Sequence, residues 1–193
     1  MPLFILFVVL LPEEVKAHKT ANDSLYALLE SLPASKQRVD VINQLVDNGI
    51  VYGQPKEARR LSEEAVALAK KLGYQKGYAL ALNRLGTAYW AEGKMLKAFN
   101  YYNDSRKVNE GLNDNYLLAR NLNSIGNIYA VLGNIPAARS YYYEALPLYY
   151  ELNQPKRIAA VYSNLGKILL DANQLDSAHY YLNKALPLAK EHY

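Results

Sequence analysis

Beyond about Val39 the apolar positions of the chain recur with a helical period. Leu82, Leu85, Gly86 and Tyr89 fall at i, i+3, i+4 and i+7, one apolar face of a helix. Glu92-Gly93-Lys94 then interrupts the pattern, and Gly93 is free to take the left-handed conformation that ends a helix. A second apolar series, Ala98, Tyr101, Tyr102 and Val108, predicts a second helix folded against the first. In the next stretch the break is Gly133-Asn134-Ile135-Pro136, with proline suited to the first helical position.

The whole pattern repeats every 40 residues. Gly86, Gly126 and Gly166 hold this spacing, as do Tyr89 and Tyr129, and Gly53, Gly93 and Gly133 with Asn173 in the fourth place. Ala58, Ala98, Ala138 and Ala178 form an unbroken series, and Tyr101, Tyr141 and Tyr181 another, with Leu61 in the first copy. Leu72, Leu112 and Leu152 close successive units. The expectation is an all-α array of four helix pairs, at about 39–76, 77–116, 117–156 and 157–193. The three glycines lack a Cβ and let the paired helix approach, with Ala98, Ala138 and Ala178 expected as the facing small surface. The first copy departs from the rule, carrying Val46 in the glycine place and Gly49 in the tyrosine place. Pro147 and Pro187 sit late in second helices, where proline is expected to kink or shorten the helix.

Before the array lies an unbroken apolar run from Leu3 to Leu11. It is far shorter than the ~20 residues a membrane-crossing helix needs. It matches the apolar region of a secretory signal, and Val15-Lys16-Ala17 offers a cleavage site after Ala17. Residues 1–17 are thus expected to act as a signal-peptide-like segment and 18–38 as a leader or capping helix, placing the protein in the periplasm or outside the cell. The alternative is a buried N-terminal element, in which case the protein stays in the cytoplasm.

The strings LNRLGTAYWAEGKMLKAFNYY, LNSIGNIYAVLGNIPAARSYYYEAL and YSNLGKILLDANQLDSAHYYLNKAL resemble tetratricopeptide repeats. The resemblance implies a superhelical solenoid of antiparallel helix pairs, its inner surface lined by the first helix of each pair. The period of 40 rather than the usual ~34 is similar to the extracytoplasmic input regions of bacterial sensor histidine kinases and of some helix-turn-helix regulators. The leader from Asp23 to Leu45 also resembles the opening helix of such regions. In such repeats the inward positions correspond here to Asn83, Thr87 and Trp90; to Asn123, Asn127 and Ala130; and to Ser163, Lys167 and Leu170. The first copy supplies Asn43, Asp47 and Ile50.

Composition narrows the chemistry. No cysteine means no disulfide, thiolate zinc site or cysteine nucleophile, and three histidines leave little for histidine catalysis. No phosphate loop, GxSxG elbow or HExxH pair occurs, and the adjacent Glu63 and Glu64 diverge on a helix. The chain is therefore expected to be no enzyme and to need neither cofactor nor metal. A net charge of +4 is mild, and the tyrosine pairs stand beside Asn, Asp, Ser and Glu rather than basic residues, which argues against nucleic acid.

The expected partner is a protein or peptide in the concave groove. Asn43, Asn83 and Asn123 form a ladder whose amides suit an extended peptide backbone, or equally the backbone of neighbouring helices. Charge looks graded along the groove: Asp40 and Asp47 lie in the first copy, Arg84, Arg120 and Lys167 in later ones, so an acidic ligand group is expected toward copies two to four. Trp90 reads as a ligand anchor or as packing between copies one and two. The lysine-asparagine-arginine clamp for C-terminal carboxylates is not reproduced, so no chaperone tail is expected. The last unit closes at Tyr193 without a polar cap, as expected either of the sensory half of a longer signalling protein or of self-association through that face.

Overall fold

The computed structural model describes residues 12–192, with side chains described for 22–190. Of residues 1–17, expected to act as a signal-peptide-like segment, 1–11 lie outside the described residues, as does Tyr193, while Val15-Lys16-Ala17 falls within the helix Pro12–Ser31. A first helix, α1 (Pro12–Ser31), leads into α2 (Lys36–Leu45), which continues through an irregular turn (Val46–Ile50) into the short α3 (Val51–Gly53). There follow α4 (Pro55–Lys71), α5 (Gln75–Ala91), α6 (Met95–Glu110), α7 (Asn115–Val131), α8 (Ile135–Glu151), α9 (Pro155–Asp171) and α10 (Leu175–His192). Among the described residues these pair into four antiparallel hairpins: α2–α3 with α4, α5 with α6, α7 with α8, and α9 with α10.

The turns share one chemistry. After α5, α7 and α9 the residues Gly93, Gly133 and Asn173 take φ of 75°, 74° and 56°. Between hairpins the same role falls to Gly73, Asn113 and Asn153. In the first of these, Tyr74 N–H donates to the Ala69 carbonyl at 2.9 Å and Gly73 N–H to Lys70 at 3.2 Å, the paired bonds of a Schellman cap. The same two bonds recur at 93–94, 133–134, 153–154 and 173–174. Pro55 and Pro155 stand in the first turn of α4 and α9, where their missing N–H costs nothing.

Helix pairing rests on an interlock between the two helices of each hairpin. A Cβ on Gly86 would meet the Tyr102 ring at 2.7 Å, one on Gly126 the Tyr142 ring at 2.7 Å, and one on Gly166 the Leu182 side chain at 2.6 Å. The expectation that alanines face these glycines holds only in part, the Ala178 carbonyl lying 3.4 Å from that position on Gly166, behind Leu182. Ala98, Ala138 and Ala178 are fully buried, but the glycine vacates space for a large side chain one turn further along the second helix. In the first hairpin the sizes are exchanged. Val46 occupies the glycine place and Ser62 the tyrosine place, both buried, and the Ser62 hydroxyl is satisfied by donating to the Ala58 carbonyl at 2.7 Å.

The prolines also behave differently from expectation. α8 continues past Pro147 to Glu151, and α10 past Pro187 to His192. Both prolines lie on the exposed side, so the backbone bond each one removes faces water.

At the start of the array, α1 lies on α2, and Leu25, Tyr26 and Leu29 join the core formed by Val39, Ile42, Leu45 and Leu61. Arg38 ties the corner, donating to the carbonyls of Leu29 (2.6 Å) and Leu32 (3.0 Å) and to Glu64 (2.6 Å). Successive first helices meet, α2 with α5 and α7 with α9 by backbone approach and α5 with α7 through the Asn83–Asn121 hydrogen bond, whereas successive second helices come less close. The first helices therefore line the concave side. Among the described residues no helix is long and apolar enough to cross a membrane.

Candidate functional site

The concave wall is polar because its first helices carry Asn, Asp, Arg, Thr and Lys on the turn facing inward. These side chains divide into two sets. The first is buried and occupied within the protein. Asn43 is 2% exposed and donates to the Gly77 carbonyl at 3.4 Å. Asn83 is 1% exposed and donates to Asn121 Oδ1 at 2.7 Å; Asn121 donates to the Ser105 hydroxyl at 3.0 Å, which donates to the Ala79 carbonyl at 2.7 Å. Thr87 donates to the Asn83 carbonyl at 3.1 Å and accepts from the Tyr102 hydroxyl at 3.2 Å. For Asn43 and Asn83 the structural alternative describes what the amides do: they join neighbouring helices.

Arg84 is the most deeply buried charge of this wall, at 3% exposure. It donates through Nε to the Asn43 carbonyl (3.3 Å) and through Nη1 to Asn83 Oδ1 (3.1 Å), and it pairs through Nη2 with Asp47 Oδ1 (3.1 Å). Burial, and then the like charge of Arg120, pull its pKa downward, opposed by Asp47. Arg120 reaches the same oxygen from the third hairpin, both of its Nη atoms lying 3.2 Å from Asp47 Oδ1. Its guanidinium stands 5.8 Å from the Tyr116 ring centroid, within cation–π range. Burial acts to raise the Asp47 carboxyl, but Arg84, Arg120 and Arg157 together hold it below the usual carboxylate range. Asp47, Arg84 and Arg120, expected at different places along a charge gradient, thus meet at one point, whereas Asp40 and Lys167 do not join them.

The second set is accessible. Ser163 and Lys167 are exposed on α9, and Asn123 and Asn127 are half-buried on α7. Asn164 donates to Asn123 Oδ1 at 3.3 Å and to Asn127 Oδ1 at 3.0 Å, and the Tyr142 hydroxyl donates to Asn127 Oδ1 at 2.7 Å. Trp90 is half-buried and packs on a cluster of Leu85, Tyr89, Ala98, Tyr102, Ile125 and Ile128, to which Val66 of the first hairpin also contributes. Of the remaining inward positions, Ile50 is buried, Ala130 half-buried and Leu170 exposed. Asp40 accepts from the Tyr74 hydroxyl at 3.0 Å, outside the arginine cluster.

Sequence reasoning missed Asn121, Asn164, Tyr116 and Arg157. Asn121 carried a signal: it is polar where the repeat has Ala81 and Val161. Arg157, whose charge interacts with Tyr116 and Asp47, carried the same kind of signal, being charged where the repeat has Gly77 and Leu117. On the second helices Tyr102, Tyr142 and Tyr149 are buried while their neighbours are half-buried or exposed, and in the fourth hairpin Tyr180 is exposed and Tyr181 half-buried. His179 is exposed, and its ring nitrogens lie 3.2 and 3.3 Å from Asn183 Nδ2. Among the described residues no three His, Asp or Glu side chains converge as a metal site would.

A tetratricopeptide repeat family model matches residues 45–110 and 117–191. The chain belongs to the tetratricopeptide repeat family. No curated protein matches the sequence. Solved structures similar to it include BtubC (BKLC) from P. vanneervenii, at 22% identity and a TM-score of 0.70, over 94% of this chain and 74% of that one. A Rap protein complexed with competence and sporulation factor is similar at 15% identity and a TM-score of 0.82, over 91% of this chain and 50% of that one. Aspartyl phosphate phosphatase F from Bacillus subtilis matches at 16% identity and a TM-score of 0.73, over 92% and 45%. At these identities the likeness shows the fold, and the chain spans about half the length of the latter two proteins.

Proposed function

We propose that this protein is a non-catalytic scaffold that holds a protein or peptide segment along the concave face of its superhelix. The observation that carries the reading is the donor row on α7. Asn123 and Asn127 lie one helical turn apart, and each uses Oδ1 inside the protein. Among the described residues neither Nδ2 donates to a protein group, which leaves both amide N–H donors for the carbonyls of an extended segment. Ser163 and Lys167 continue the row onto the fourth hairpin. A fold of this kind accommodates such a ligand, one similar structure being a Rap protein complexed with competence and sporulation factor. The apolar run at Leu3–Leu11, followed by Val15-Lys16-Ala17, supports a location outside the cytoplasm. The role in that setting is a sensory or adaptor one, in which ligand changes the curvature of the stack.

Position-resolved photo-crosslinking tests the groove. Crosslinkers placed at Asn123, Ser163 and Lys167 should capture a partner, and those at the exposed second-helix positions Asn100 and Glu144 should not. Capture from Asn100 and Glu144 alone would overturn the reading. Mass measurement of the exported protein tests location: a retained Met1 would remove that part.

A further inference from the structure

We propose that the Asp47 carboxylate is an internal occupant of an acid-binding site on the concave face, one that an aspartate or glutamate side chain of a bound peptide displaces from Arg120. The inference rests on the groove reading above and names the chemistry that the groove selects. In a solenoid each unit normally touches its immediate neighbours. The pair Asp47–Arg120 spans 73 residues and connects the first hairpin to the third. Copies two to four carry Thr87, Asn127 and Lys167 at the place of Asp47, so the first alone brings an acid to this point of the groove.

The pairing is poorly matched. A carboxylate and a guanidinium pair best as two parallel bonds, each oxygen taking one N–H. Here both Nη atoms of Arg120, at 3.2 Å, and Nη2 of Arg84, at 3.1 Å, converge on Oδ1 alone. Asp47 Oδ2 accepts no hydrogen bond among the described residues. A ligand carboxylate entering from the groove can offer both oxygens to the Arg120 fork, a geometry Asp47 does not reach from its irregular turn.

The groups around the pair favour exchange over a permanent strap. Arg84 is fixed by Asn43 and Asn83, so it retains Asp47 when Arg120 lets go. The Asp47 side chain is 42% exposed, open to competition from solvent. The Arg120 side chain is 14% exposed, and the Tyr116 ring backs its guanidinium at 5.8 Å, a contact that does not depend on Asp47. Arg157 adds a third positive charge to the same carboxylate's surroundings. An internal competitor of this kind lowers apparent affinity by the fraction of time it occupies the site.

The test uses the full chain with two labelled probes, hexaglutamate and hexaglutamine, followed by fluorescence anisotropy. Asp47→Asn keeps the side-chain shape and should tighten hexaglutamate about tenfold, leaving hexaglutamine unchanged. Asp171→Asn, an exposed site with the same change in net charge, should give less than about a twofold effect. Adding Arg120→Gln to Asp47→Asn should erase the gain. A second measurement needs no variant: hexaglutamate should shift the Arg120 Nε–H resonance of the unmodified protein and leave that of Arg84 in place. Unchanged affinity in Asp47→Asn, a gain that survives Arg120→Gln, or a stationary Arg120 signal would each overturn the proposal. If both probes bind equally and perturb the Asn123 and Asn127 amides, the acid site falls and the groove reading stands. If neither probe perturbs the groove, both fall.

Discussion

The first hairpin and the three that follow fill the same interhelical slot from opposite sides. In the later three a glycine on the first helix admits Tyr102, Tyr142 or Leu182 from the second. In the first, Val46 and Ser62 hold the equivalent places, large on the first helix and small on the second, and both are buried. The backbone differs as well: Tyr89 and Tyr129 continue straight helices, whereas Gly49 at the same phase has φ of 93° and turns the chain between α2 and α3. That turn is what carries Asp47 to arginines of the second and third hairpins. What is conserved within this chain is therefore the summed volume of a slot, and the cost of the irregular turn is accepted where it places a charge.

The strongest way to break this comparison is to transplant the first hairpin's solution into the third. Gly126→Val should destabilise by about 2–3 kcal/mol, because its Cβ would meet the Tyr142 ring at 2.7 Å. Tyr142→Ser should cost about 3 kcal/mol or more by opening a cavity. The double variant should be less destabilised than the sum by about 1–2 kcal/mol, as judged by urea unfolding; strict additivity would mean the slots are not exchangeable. Next in size is Arg84→Met. Removing its bonds to Asn43 and Asn83 should cost about 2 kcal/mol, seen as a lowered denaturation midpoint, while a neutral result would show that the buried charge organises nothing.

Smaller effects sharpen the contrast in the backbone. Gly49→Ala should cost about 1 kcal/mol, since alanine resists the positive φ, and the matching change Gly53→Ala, where a Cβ meets nothing within 4 Å, should be close to neutral. The smallest concerns acid. The native Asp47 carboxyl titrates below its unfolded value, so its contribution is present above about pH 4 and fades as pH falls through the native value. Asp47→Asn should flatten that part of the stability–pH curve; an identical acid limb in both proteins would show the carboxylate is not held down.

The hairpins and the left-handed turns were legible in the sequence because each repeats at a fixed phase, and periodicity is what a linear string displays best. Asn173 could be placed as a substitute for glycine on phase alone. The glycine–tyrosine interlock was harder to see, since Ala98 and Tyr102 lie one turn apart and both are apolar; only the direction of the side chain decides between them. The arginine–aspartate junction was hidden for a different reason. It joins units one and three, and a repeat comparison aligns equivalent positions rather than positions that meet across curvature. Arg157 stands where the other copies have Gly77 and Leu117, a departure that marks it as unusual without saying what it meets. The burial of Asn43 and Asn83 against the accessibility of Asn123 likewise follows from their partners, which differ from copy to copy.

The contact between Asp47 and Arg120 has one more implication for how such an array could change in length. Units with identical turns and identical phase are interchangeable cassettes, and nothing in their seams records how many there are. A bond that reaches over exactly one intervening cassette does record it: excising or duplicating residues 75–114 would keep the phase of every turn and still set the aspartate opposite the wrong neighbour. The junction thus serves the chain as a gauge of its own count.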